Sequence, residues 1–219
     1  MRLAIFDLDN TLIAGDSDHL WGEYLAERGV VDGDHYRREN DRFLAQYESG
    51  TLDIHEFLRF SLRVLAEHDE DELQRLRAGF IADKIEPIVA PGTPGLLARH
   101  RQAGDHLMIV TATNAFVTQP IARMLGVDTL IATEPDRNTH GYTGDVSGIP
   151  CFRAGKVHRL DQWLNGQRVD LRASAFYSDS HNDLPLLERV GRPCAVDPDP
   201  TLEHTARARG WPVISLRHD

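Results

Sequence analysis

Two carboxylates stand one residue apart where a short apolar run ends. Leu3 to Phe6 reads as a buried strand, and Asp7 and Asp9 follow it in the stretch FDLDNTL. Like charges so close disfavour each other's ionisation, so a pair at the end of a buried strand carries an electrostatic penalty. Carboxylates whose environments split them into an ionised and a protonated member can serve as nucleophile and proton donor. Three other stretches hold residue types that could join such chemistry. They are VTATN with Thr111 and Asn114, GKV with Lys156, and SDSHND with Asp179, Asn182 and Asp183.

These residues lie far apart in the chain and need a frame. From Asp16 to about Glu86 apolar residues recur at helical spacing in four stripes, among them Leu20, Trp21, Tyr24 and Leu25, and later Ile54, Phe57, Leu58, Leu62 and Leu65. Four amphipathic segments could close as a small bundle, with Trp21, Tyr24, Phe43 and Phe57 as its core. After APGTPG the character changes. Apolar runs LMIVT, TLIAT, ASAFYSD, CAV and PVISL alternate with helical stretches at 96–102, 119–125 and 156–164. The stretch DRNTHGYTGDVSGIP is rich in turn formers and reads as a hairpin excursion. The alternation predicts an α/β fold, a doubly wound parallel sheet, with a helical bundle inserted after the first strand. The expected division is 1–14 and 88–219 for the sheet core and 15–87 for the helical domain. Ligands of such sheets bind outside the carboxyl ends of the strands. Asp7, Thr111 and Asp179 fall at three such ends, so one crevice gathers them.

Composition narrows the partners. The chain has 219 residues and a net charge of −10, which argues against a nucleic-acid surface lined with Lys and Arg. Cys151 and Cys194 form no metal-type or redox-type pair, and no apolar run reaches membrane length. The apolar run before Asp7 is too short for a signal peptide, so a cytoplasmic protein is expected. GIPCFRAGKV has the wrong spacing for a nucleotide phosphate loop, with Val157 where Ser or Thr should hold Mg²⁺.

Taken in order, with a helical insertion after the first, DLDNT, VTATN, GKV and SDSHND resemble the motifs of the haloacid dehalogenase superfamily of phosphatases. More narrowly they resemble its phosphoserine-phosphatase-like branch, which carries a helical-bundle cap between the first and second motifs on a Rossmann-like core. The resemblance implies that Asp7 is the nucleophile of an aspartyl-phosphate mechanism and Asp9 the general acid. It implies that Lys156 neutralises nucleophile and phosphoryl charge, that Thr111 donates to a phosphoryl oxygen, and that Asn114 and Asn182 contact substrate. Mg²⁺ is the implied cofactor, on the Asp7 side chain, the Asp9 carbonyl and Asp179, with Asp183 steadying Lys156 or the metal waters. Charge counting agrees: Asp7, Asp9, Asp179 and a phosphate dianion sum to about −5 if all are ionised. Like charges at ~4 Å repel by roughly 4 kcal/mol per pair at an effective dielectric of 20.

Two departures bear on the substrate. ATN follows Thr111 where the phosphoserine-specific pattern has glycines and an aromatic residue. Ser180 and His181 stand where glycine and a small residue are usual, and His181 reads as a loop residue at the entrance. The branch carries a cap-side glutamate seven residues after its second aspartate; that offset from Asp9 reaches Asp16, with Asp18 two residues on. Both could simply cap a helix, or form an acidic lip for an aminated ester. Phosphoserine brings a carboxylate that such a lip repels, whereas histidinol phosphate has an ammonium and no carboxylate. The branch is also similar to bacterial enzymes acting on histidinol phosphate, so that substrate is expected first and phosphoserine second. The expected partner is a small phosphorylated metabolite, with no nucleic acid and no membrane, in a monomer or homodimer. A phosphotransferase differs only in whether an alcohol takes the phosphoryl group. A non-catalytic phosphate-binding module would be expected to lack the nucleophile or the lysine, and both are present.

Overall fold

The computed structural model describes residues 1–218. Strand β1 (Leu3–Phe6) leads into a helical insert of α1 (Ser17–Glu27), α2 (Gly33–Glu48), α3 (Ile54–Ser61), α4 (Arg63–Glu67) and α5 (Glu70–Phe80). A π-helical turn (Ile81–Ile85) and a 3₁₀ turn (Glu86–Ile88) return the chain to the sheet. Then come α6 (Thr93–Gln102), β2 (His106–Asn114), α7 (Ala115–Leu125) and the hairpin of β3 (Thr129–Asn138) and β4 (Gly141–Ser147). The chain continues through α8 (Ala154–Leu164), β5 (Ala175–Ser178) and α9 (Leu184–Leu187). It closes with β6 (Arg192–Val196), α10 (Pro200–Arg209) and β7 (Val213–Ile214).

The sheet order is β4-β3-β2-β1-β5-β6-β7, parallel throughout except for β4, which pairs antiparallel with β3. The doubly wound sheet expected from the alternation is present, and the turn-rich excursion adds an antiparallel edge strand to it. Residues of β1 divide by the two-residue period of a strand. Ala4 and Phe6 face the layer of α6 and α7, while Leu3 and Ile5 face that of α8, α9 and α10. Both faces are covered, which is why β1 reads as a continuous apolar run rather than an alternating one.

Four of the insert's five α-helices begin on one device. Asp16, Asp32, Asp53 and Asp69 each stand in extended backbone ahead of α1, α2, α3 and α5, and each carboxylate accepts backbone N–H bonds of the first turn. Such a cap contributes about 1 kcal/mol. The third apolar stripe is split at Leu62, where α3 ends and α4 begins. The bundle does not keep a core to itself. Trp21 packs against Phe80 at 5.2 Å and against Phe116 of α7 at 5.9 Å. The expected bundle core is corrected at Trp21, which joins the insert to the sheet layer; Tyr24 packs on Trp21 and Phe80 within the insert, and Phe43 and Phe57 pack on each other while also lining a cavity.

Helix α7 begins at Ala115, four residues before the 119–125 expected, because Asn114 caps it by accepting from Val117 N at 3.2 Å. Pro120 lies inside the helix and has no N–H to give the Phe116 carbonyl. Arg77 of α5 supplies the missing donor at 2.7 Å and lies over the Phe116 ring at 4.4 Å. One arginine thus repairs a proline defect and binds the insert to the core.

Candidate active site

The carboxyl ends of β1, β2 and β5 meet under the insert. Asp7 follows β1, is 3% exposed, and its N–H donates to the Tyr177 carbonyl of β5 at 2.8 Å. Its Oδ1 accepts from Lys156 Nζ at 2.8 Å. Lys156, 1% exposed, also donates to Asp183 Oδ2 at 2.8 Å, and Ser178 Oγ donates to that oxygen at 2.7 Å. Lys156 reaches this position from the first turn of α8. A Cβ at Gly155 would lie 2.0 Å from the Pro150 carbonyl oxygen, so only glycine lets the turn pack there.

Burial pushes the Asp7 carboxyl up to about 7; Lys156 opposes the shift, and the Asp183 and Asp9 charges add to it. Burial works against the charge of Lys156, but Asp183 and Asp7 more than offset it and hold the ammonium well above its ordinary range. Asp179 is raised well above a normal carboxyl by burial, then by Asp7 and Asp183. Thr11 donates to Asp179 Oδ1 at 3.1 Å and accepts from its N–H at 3.1 Å. One ammonium for three crowded carboxylates leaves a deficit of positive charge.

The donor set fits a hard divalent cation. Asp7 and Asp179, close enough for the Asp7 charge to raise the Asp179 carboxyl, offer carboxylate oxygens. Among the described residues no three His, Cys, Asp or Glu side chains enclose an ion. Two carboxylates suit an ion that keeps its waters and takes the rest of its shell from a phosphate, as Mg²⁺ does.

Asp9 is held differently from Asp7. Its Oδ1 accepts from Ser17 N at the start of α1, at 2.6 Å. Its Oδ2 accepts from Thr113 Oγ1 at 2.8 Å, with Thr111 Oγ1 at 3.5 Å. Burial, then repulsion by Asp16, pushes its carboxyl up to about 6, the range of a group that can deliver a proton near neutrality. Thr111 lies inside β2 rather than at its end. The strand runs on to Asn114 through an irregular register, and two hydroxyls on one face meet the Asp9 carboxylate.

Above these residues the insert encloses a cavity lined by Asp16, Asp18, His19, Asn40, Phe43 and Phe57 as well as by Asp7 and Asp9. No lysine or arginine lines it among the described residues. Asp16 is a helix cap, its Oδ1 accepting from Asp18 N at 3.0 Å and His19 N at 2.8 Å. Asp18 is 9% exposed and accepts no hydrogen bond among the described residues. Burial, then the Asp16 and Asp9 charges, raises it well above the usual carboxyl range. His19 Nδ1 is buried without a partner.

The remaining expected residues fall elsewhere. Asn114 serves as the cap of α7 and does not line the cavity. Asn182 Oδ1 accepts from Arg153 Nε at 2.8 Å and its Nδ2 donates to the Tyr47 carbonyl at 3.2 Å, so its amide is engaged between core and insert. His181 Nδ1 pairs with Asp199 at 2.8 Å. Thr11, Thr113 and Arg153 were not singled out from the sequence. Thr113 had a signal, since it lies two residues from Thr111 on one strand face.

Residues 4–188 match the haloacid dehalogenase-like hydrolase family. The chain is 42% identical over 220 residues to a histidinol-phosphatase of Neisseria meningitidis serogroup C (strain 8013), covering 99% of each. A crystal structure of a protein of unknown function from Bordetella pertussis Tohama I superposes with a TM-score of 0.92 at 46% identity, over 98% of each chain. A phosphoserine phosphatase held as a phospho-aspartyl intermediate analogue superposes with a TM-score of 0.73 at 18% identity, over 100% of this chain and 94% of that one. It shares the fold. With the family matched from β1 to beyond the Asp183 loop, this chain belongs to the haloacid dehalogenase-like hydrolases.

Proposed function

We propose that the protein is a cytoplasmic, Mg²⁺-dependent phosphatase of a small aminated phosphate monoester, with histidinol phosphate as its substrate and the segment 15–87 as its cap. The observation that carries the substrate class is the Asp18 carboxyl. It is buried in a cavity with aromatic walls, has no protein donor, and sits in surroundings that hold its proton on. A desolvated carboxyl of this kind gains most from an ammonium ligand, and a site built on it rejects analogues that leave it unpaired. His19 Nδ1 offers a second polar contact, and Phe43 and Phe57 a wall for a flat ring. The 42% identity to a histidinol-phosphatase supports the same substrate. Phosphoserine is the second reading and rests on the shared fold. Against it, no lysine or arginine lines the cavity, among the described residues, to receive the amino-acid carboxylate.

In this reading Asp7 attacks phosphorus in line with the departing alkoxide, and Asp9 passes its proton to that oxygen. The alcohol leaves, and Asp9 then takes a proton from the water that hydrolyses the acyl phosphate. Lys156 and the Thr111 hydroxyl donate to phosphoryl oxygens, and Asp183 keeps the ammonium aimed at Asp7. A bound Mg²⁺, held by Asp7, the Asp9 carbonyl and Asp179, would neutralise phosphate charge and let the dianion enter. The 2.6 Å bond from Ser17 N keeps Asp9 turned to the cavity, and its pKa near 6 suits both directions of transfer.

The test is initial rates on a panel of phosphate esters with Mg²⁺ present. Highest kcat/KM on histidinol phosphate, with phosphoserine far lower, is the expected result. A preference for phosphoserine or for uncharged sugar phosphates would contradict the substrate reading while leaving the phosphatase reading standing.

A further inference from the structure

Arg153 has φ 51° and ψ −120°, a backbone conformation that a residue with a side chain adopts at a cost. It stands three residues before Lys156, at the entry to α8, where glycine would be the unstrained choice. What distinguishes the arginine is its reach. Its Nε donates to Asn182 Oδ1 at 2.8 Å, its Nη2 donates to the Gly50 carbonyl, and its Cζ lies 4.9 Å from the Phe152 ring centroid. Asn182 in turn donates to the Tyr47 carbonyl at 3.2 Å. Two core loops thus bond two carbonyls at the end of α2, in the cap. A guanidinium there also meets the negative end of the helix dipole.

The cap side is fitted just as closely. Gly50 has φ 71°, and a Cβ on it would lie 2.9 Å from His181 Nε2 and 3.2 Å from Arg153 Nη2. Asn182 and His181 belong to the loop between Asp179 and Asp183, the latter holding Lys156. One guanidinium therefore bridges the cap and the loop that orders the phosphate side of the site.

We propose that Arg153 is a positioning residue that couples closure of the cap to the arrangement of the 179–183 loop. With the cap shut, Arg153 and Asn182 are both satisfied by cap carbonyls and the loop is fixed. With the cap swung away, both lose those partners and the loop is free to relax. Closure and assembly of the phosphate site then occur together. The inference rests on the phosphatase reading but not on the identity of the ester.

Arg153→Gly separates the two properties of this residue, since glycine keeps the backbone conformation without strain and removes the side chain with its guanidinium. The expected variant has a thermal midpoint close to wild type and faster amide hydrogen exchange at residues 47–52 and 180–183. Its kcat/KM is expected to be at least about tenfold lower, mainly through KM, because a charged hydrogen bond to the closed state is gone. Gly50→Ala should give the same exchange and kcat/KM phenotype from the cap side, with a lower thermal midpoint because alanine is strained at φ 71°, and the double variant should have a kcat/KM no worse than the poorer single. The proposal is overturned if Arg153→Gly leaves exchange at 47–52 unchanged, or if the two losses in kcat/KM multiply. The exchange measurement uses ligand-free protein, so its failure would leave the substrate reading untouched.

Discussion

Asp18→Asn isolates the feature that sets the substrate class. Asp18 is 9% exposed, its carboxyl accepts no hydrogen bond among the described residues, and it differs from asparagine in charge rather than shape. Truncating one partner of a buried charge pair costs about 2–5 kcal/mol. Asp16 lies beside it and caps α1 through Oδ1 alone, leaving Oδ2 as a partial substitute for the ammonium. The loss therefore belongs at the low end, ~2–3 kcal/mol, or about 30- to 150-fold in kcat/KM on histidinol phosphate. On p-nitrophenyl phosphate, which has no ammonium, the change should stay within about threefold, since only uniform contacts are altered. Stability gives a second, independent reading. The Asp18 carboxyl is raised in the folded protein, so between the unfolded and folded pKa the native state binds more protons and stability falls as pH rises. The variant lacks that dependence, so its thermal midpoint should gain on wild type as pH increases. Equal losses on both substrates, or a variant that loses ground as pH rises, would refute the reasoning.

Two other outcomes follow from the same structure. Asp7 and Asp9 are raised to about 7 and about 6 by burial in the absence of a cation, and Asp179 is raised too. Chelated protein should therefore lose stability as pH climbs from about 5 to 8, and Mg²⁺ should restore more at the upper end; a Mg²⁺-induced midpoint shift independent of pH would count against this. Arg77→Met removes the donor that satisfies the carbonyl freed by Pro120, which should cost about 1–2 kcal/mol, or roughly 3–6 °C in thermal midpoint. An unchanged midpoint by calorimetry would show that water replaces the guanidinium.

Much of the frame is legible in the chain because burial on both sheet faces leaves long apolar runs, and because strand ends gather polar residues. Asp7, Lys156, Asp183 and Asp179 meet as the motif order implies. Less legible are features that depend on what the chain meets in space. The extension of β2 past Thr111 follows from an irregular register with β3, which no local pattern announces. Helix α7 is obscured by Pro120, whose missing N–H is made good by a residue 43 positions earlier. Phe43 and Phe57 have the periodicity of core residues, and only the packing of α2 against α3 turns them to the cavity. Arg153 and Gly50 read as loop residues, since their significance lies in a contact between segments about a hundred residues apart.

The most direct test of the covalent account is an acid quench of Mg²⁺-loaded enzyme within its first turnovers on phosphate-labelled histidinol phosphate, followed by peptide mapping. Acid slows hydrolysis of an acyl phosphate and unfolds the enzyme, so an intermediate present at the quench is retained. The account predicts label on the peptide containing Asp7, stoichiometric with an early burst of alcohol if hydrolysis is the slower step. It also predicts that Asp7→Asn, which keeps the size of the side chain but not its nucleophilicity, shows neither label nor burst. Label on a peptide lacking Asp7, an alcohol burst with label on no peptide, or label surviving in Asp7→Asn, would contradict it.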